Sequence, residues 1–84
     1  MRGRGLPLLR RIHEEVYEED PEARRSLEYH RNRSTDDIVK SLQLDQEEPL
    51  RVKLDGRVVQ GNTRIKVLQE RGYPVDDLPR EIIQ

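Results

Sequence analysis

The 84-residue chain has no cysteine, no tryptophan and no phenylalanine, and it has one methionine. Without cysteine there can be no disulfide framework, no thiolate metal site and no thiol nucleophile. No apolar run approaches the roughly 18 residues that cross a bilayer. Leu6-Pro7-Leu8-Leu9 follows a basic start but runs straight into Arg10 and Arg11. The N-terminus therefore lacks the apolar centre of a secretory signal. These absences predict a soluble, cytoplasmic protein with no membrane contact. A surplus of one charge is missing as well, since 16 Lys and Arg face 17 Asp and Glu. Broad nonspecific attraction to nucleic acid is not expected, and any such contact must come from a local cluster.

What the chain does contain is charge, at 39% of residues, and a modest set of 22 Leu, Ile and Val. A chain of this length buries only about 60–65% of the surface its unfolded form exposes. With three tyrosines as the only aromatics, the core must be aliphatic and thin. The aliphatics are unevenly spread, with most of them after Thr35. This distribution predicts two parts: a helical N-terminal arm over 1–34 and a compact module over 35–84. It also leaves room for a partner or a second copy of the chain to complete the core.

Local signals place the elements. Leu9, Ile12 and Val16 recur at helical spacing, with Glu14, Glu15, Glu18 and Glu19 off that stripe. Asp20-Pro21 is a cap followed by a first-turn proline, which restarts a helix running to about Asn32. Only Ala23, Leu27 and His30 mark its inner face, so it reads as peripheral. Ser34-Thr35-Asp36-Asp37 is a hydroxyl cap with acids in the first turn, and Ile38, Val39 and Leu42 follow as a buried face ended by Gln46-Glu47-Glu48-Pro49. Leu50 to Leu54 alternates apolar and basic residues, as a half-buried strand does. Asp55-Gly56 predicts a two-residue hairpin turn, and Arg57 to Gln60 returns. Gly61-Asn62-Thr63 then opens a helix that ends near Gly72. Leu78 to Ile83 reads as a last strand. Helix, hairpin, helix and strand after a helical arm define an α+β fold.

The junction at Gly61 is where chemistry is expected. A strand delivers the chain to a helix N-terminus, whose free N–H groups and dipole favour an anion. Gly61 permits a sharp turn and a close approach. Asn62 and Thr63 can cap the helix or donate hydrogen bonds. Arg64 can fork onto a phosphate and Lys66 can add a point charge. The same residues also read as an ordinary turn and cap, with Arg64 and Lys66 solvated.

Residues Ser34 to Ile83, about 50 of 84, resemble the N-terminal domain of ParB partition proteins and the wider ParB and sulfiredoxin superfamily. The resemblance rests on the capped helix Asp36 to Leu42, the strand start Pro49-Leu50 and the Asp55-Gly56 hairpin. It rests also on Gly61-Asn62-Thr63-Arg64 and the strand Leu78 to Ile83. The ParB helix start reads Gly-Glu-Arg-Arg-x-Arg-Ala and binds nucleotide phosphates. Here Gly61 and Arg64 match, Lys66 stands for an Arg and Val67 for the Ala, while Asn62 and Thr63 depart. The resemblance implies a nucleotide ligand, CTP or ATP with magnesium, or DNA. It argues against catalysis: the sulfiredoxin cysteine position falls on Asn62, and an amide there cannot act as a general base. Nuclease or nucleotide hydrolase activity, as in some family members, is the least favoured expectation.

The other candidates are weaker. Arg2, Arg4, Arg10 and Arg11 form a basic N-terminal arm that can touch phosphate backbone or dock on the acidic face of another copy of the chain. Its simplest reading is a frayed terminus. His13 and His30 share no face and give no zinc pattern, so no metal is expected. Glu14-Glu15 and Glu18-Glu19 read as a solvated helix face. Nothing brings Ser26, Ser34 or Ser41 to a histidine for a catalytic triad.

Overall fold

A computed structural model describes residues 8–11 and 16–83. The architecture is α+β, with helices α1 (Val16–Glu19), α2 (Pro21–Arg31), α3 (Thr35–Ser41) and α4 (Asn62–Glu70). Strands β1 (Arg51–Lys53), β2 (Val58–Gln60) and β3 (Glu81–Ile83) form one sheet in the order β2-β1-β3. A short 3-10 turn, Val75–Asp77, precedes β3.

The helix starts follow their local chemistry. The Asp20 carboxylate accepts from the Glu22 N–H at 2.9 Å, and Pro21 occupies the first turn, where its missing donor costs nothing. Ser34 Oγ accepts from the Asp37 N–H at 3.1 Å. The α3 helix is shorter than the apolar pattern suggests. It ends at Ser41, because Leu42 turns out of it and the Leu42 carbonyl accepts from the Leu50 N–H at 3.1 Å. Helix α4 closes at Gly72 in a Schellman arrangement, with Tyr73 N–H on Leu68 O and Gly72 N–H on Gln69 O, both at 3.0 Å.

The hairpin differs from the expected two-residue turn. Gly56 N–H donates to Lys53 O and Lys53 N–H to Arg57 O, both at 2.9 Å. The loop is therefore the three residues Leu54-Asp55-Gly56, and Gly56, at φ +93°, takes the left-handed position that such loops require. Val52 pairs with Val58 and Arg51 with Gln60, which leaves Val59 as a bulge. The last strand is parallel to β1, with Val52 opposite Ile82. Paired residues share a face, so the open face carries a Glu81–Arg51–Gln60 ladder of polar contacts across all three strands. The other face, with Val52 and Val58, is covered by the helices.

The N-terminal segment is the largest departure from the sequence reading. Residues 8–11 are extended, not helical. Arg10 bridges Arg57 beside β2: its N–H donates to Gly56 O at 2.9 Å, and its carbonyl accepts from the Val58 N–H at 2.8 Å. That covers the outer edge of β2, which would otherwise present unpaired groups. Leu9 is buried in the same core as Ile38, Leu42, Leu50, Val52, Val58, Ile65, Val67 and Leu68, and Leu27 of α2 joins it. The helical spacing of Leu9 with Val16 is thus a coincidence of two separate elements. Ile12, His13, Glu14 and Glu15 lie outside the described residues. Helix α2 packs on α4, and its Arg31 forks onto Glu70 at 2.7 and 3.1 Å. The described parts of 1–34 form a layer of the fold.

Candidate functional site

The α4 helix begins at Gly61, whose φ of +108° falls where residues with a Cβ are strained. A Cβ there would also stand 3.2 Å from Leu42 Cδ2 and 3.4 Å from Leu50 Cδ1. Glycine is required twice over, by backbone conformation and by space. As the N-cap residue, Gly61 has no side chain with which to cap the helix. The expected caps are used elsewhere: Asn62 Nδ2 donates back to Val58 O at 2.6 Å, tying the helix to β2, and Thr63 Oγ1 meets the Tyr17 hydroxyl at 2.7 Å. Among the described residues no side chain accepts from the first-turn N–H groups of α4, and such groups favour an anion.

Arg64 does not project outward as the sequence suggests. It is 7% exposed. Its Nη1 donates to Ser41 O and Ser41 Oγ, both at 3.1 Å, and its Nη2 donates to Glu48 O at 2.9 Å. The guanidinium thus ties the end of α3 and the loop before β1 to α4. Lys66 is not its neighbour. Two residues along a helix turn by roughly 200°, and Lys66 Nζ lies 5.4 Å from the centre of the Tyr17 ring and 3.9 Å from Glu70 Oε2. The structure separates the two cations that the sequence places together.

The basic arm resolves in the same way. Arg10 Nη2 lies 3.3 Å from Asp55 Oδ2, and Arg11 Nε donates to Gln69 Oε1 at 2.7 Å. Both side chains bind their own fold. Arg2 and Arg4 lie outside the described residues.

Two adjoining cavities open beside Arg64. One, of about 240 Å³, is bounded by Gly61, Asn62 and Thr63 at the α4 start together with Ser26, His30 and Gln60. The other, of about 460 Å³, is bounded by Tyr29, His30, Arg33, Ser41, Gln46, Glu47, Glu48 and Arg64, so that two arginines and two glutamates border it. His30, Glu48 and Arg64 border both, so the two make one groove between α2, α3 and the start of α4. Sequence reasoning missed Tyr29, Arg33 and Glu48 here, and assigned His30 to a weak inner face. A signal existed, because Ser26, His30 and Arg33 fall at i, i+4 and i+7 and so share one side of α2 and its exit.

Electrostatics distinguish this groove. Arg33 Nη1 meets His30 Nδ1 at 3.3 Å, and Nη2 donates to Asp37 O at 3.2 Å. Its guanidinium carbon lies 5.7 Å from the Tyr29 ring centre. An arginine can only donate, so the imidazole Nδ1 is the acceptor and a neutral ring carries its proton on Nε2. Burial, then the Arg33 and Arg64 charges, hold the His30 pKa below its ordinary value, against an opposing pull from Glu48. Burial also lowers the Arg64 pKa, although a guanidinium remains charged. Among the described residues, neither Arg33 nor Arg64 has a carboxylate at ion-pair distance. Each is hydrogen-bonded to neutral groups only. Glu48 is the acid that both Arg64 and His30 sense.

Among the described residues, no three His, Asp or Glu side chains gather as a metal site, and no helix is long and apolar enough to cross a membrane. No protein-family model, no curated protein and no solved structure matches the chain.

Proposed function

We infer that the protein binds an anionic ligand, a nucleotide phosphate or a nucleic-acid backbone, at the Gly61 end of α4. One observation carries the reading: the uncapped first turn of α4 opens into a cavity whose wall holds Arg64, a buried cation hydrogen-bonded to neutral oxygens alone. A cation paired with a carboxylate has its field cancelled nearby. One paired with carbonyls and a hydroxyl keeps its charge, which Glu48 opposes without direct contact, and a bound anion would supply a directly bonded counter-charge. Arg64 acts in this reading as a fixed positive wall, not as a mobile finger. The ParB-like pattern of Gly61 and Arg64 supports the same ligand class, with CTP or ATP and magnesium as the first compounds to try. Catalysis has less support, because the motif position that would hold an acid or a thiol is Asn62, and its amide is bonded to Val58 O.

The test is a two-dimensional amide NMR titration with inorganic phosphate, with CTP or ATP in the presence and absence of magnesium, and with a short DNA duplex. Binding at this site shifts the Thr63 and Arg64 amides first and saturably. If none of these compounds moves them at millimolar concentration, the reading fails.

A further inference from the structure

The groove continues past the α4 start into its larger half, and the cation there stands on a different element. Arg33, just beyond the end of α2, borders the 460 Å³ cavity; among the described residues no carboxylate lies at ion-pair distance from it, although Glu47 and Glu48 border the same cavity, and its two hydrogen bonds are long, at 3.2 and 3.3 Å to neutral acceptors. A guanidinium has five donors, so these bonds leave it able to take an oxyanion. Arg64 lies between this cavity and the one at Gly61.

We propose that Arg33 forms a second anion subsite in this larger cavity, so that the ligand is a chain of at least two phosphates running from Gly61 past Arg64 to Arg33. This rests on the reading of the Gly61 site given above and extends it to the ligand's length. The shared chemistry is a linked series of phosphates, whether free polyphosphate or a nucleic-acid backbone. Glu48 has a defined role in it. Glu48 borders both cavities, and its charge opposes the lowering of the His30 and Arg64 pKa values. A bound phosphate chain must tolerate that charge, so Glu48 limits affinity.

The experiment is calorimetric titration at low salt, where screening is weakest, with inorganic phosphate, tripolyphosphate and a short single-stranded oligodeoxynucleotide as probes. The intact protein binds the two chain probes at least about tenfold tighter than inorganic phosphate, the scale of one charge-assisted fork. Arg33→Gln removes most of that advantage and leaves inorganic phosphate within about twofold, as expected for a contact made only by the far end of the ligand. Glu48→Gln tightens both chain probes by about threefold or more, since a repulsive charge is lost. A gain of affinity cannot come from a damaged fold, so this variant guards against misreading the first. A tighter oligonucleotide assigns the chain to nucleic acid and a tighter tripolyphosphate to a free phosphate chain; both agree with the proposal. If inorganic phosphate binds at Gly61 but the chain probes gain nothing, or keep their gain in Arg33→Gln, the second subsite is overturned and the Gly61 reading stands. If no probe binds, both fall.

Discussion

The arginines on the two sides of this molecule are held differently. Around the hairpin and the helix exteriors they meet carboxylates: Arg10 and Arg57 share Asp55, Arg51 meets Glu81 and Arg31 meets Glu70. Around the groove, Arg33 and Arg64 meet carbonyl oxygens, a hydroxyl and an imidazole. The first set is exposed and ion-paired, so it adds little stability. In the second set Arg64 is buried and Arg33 half-buried, and both keep their charge. Near-neutral composition thus conceals two arginines held without a directly paired carboxylate among the described residues, in a groove that Glu47 and Glu48 also border.

The strongest way to break this comparison is to remove Arg64. Arg64→Ala leaves three oxygens on two segments without their donor, and should cost about 2–4 kcal/mol in urea denaturation. Arg64→Lys keeps the charge but cannot span the same acceptors, so it recovers only part of that loss. A cost no larger than that of Arg57→Ala would erase the distinction between the two sets. Next in size is Gly61→Ala, which forces a Cβ into the left-handed region 3.2 Å from Leu42 Cδ2. It should lose about 1–2 kcal/mol by the same measurement.

pH separates the two sides in a different way. The folded pKa of His30 is depressed, so the unfolded chain binds its proton first. Its contribution is complete above the ordinary histidine pKa of about 6.5 and is lost as pH falls through the lower folded value. Asp55 is depressed chiefly by the Arg57 backbone N–H and Glu70 chiefly by the Arg31 hydrogen bond. Their contributions are complete above the ordinary carboxylate range, about pH 4, and disappear only in stronger acid. Urea midpoints should therefore begin to fall below about pH 6.5, and His30→Gln should flatten the curve down to the carboxylate range. An unchanged slope in that variant would remove His30 from the account. The smallest effect is expected from Asp55→Asn at neutral pH, where the urea midpoint should not move measurably, because both ion pairs at Asp55 are exposed.

Much of the fold was legible because its signals are local. Asp20-Pro21 and Ser34 each satisfy helix N–H groups within three residues, so no distant part of the chain is needed to recognise them. Gly61 and Gly72 mark conformations that glycine favours. The Asp55-Gly56 hairpin was visible for the same reason, but its loop length was not, since Asp55 does not show by itself whether Leu54 belongs to the turn. Leu9 was misread because a stripe of three residues cannot tell a helix from an extended segment that happens to pack well. The site was half legible. Gly61 was visible as a junction, whereas Tyr29, Arg33 and Glu48 reach it from elements that only tertiary packing brings near.

The sequence by itself determined the element order, the absence of thiol chemistry and the need for glycine at the start of α4, all consequences of composition or short-range sterics. Only the tertiary structure decided the direction of Arg64, the parting of Arg64 from Lys66 and the capture of Arg10 and Arg11 by the fold. A flexible cation takes its place from the acceptors that packing brings within reach, and those acceptors are not its neighbours in the chain.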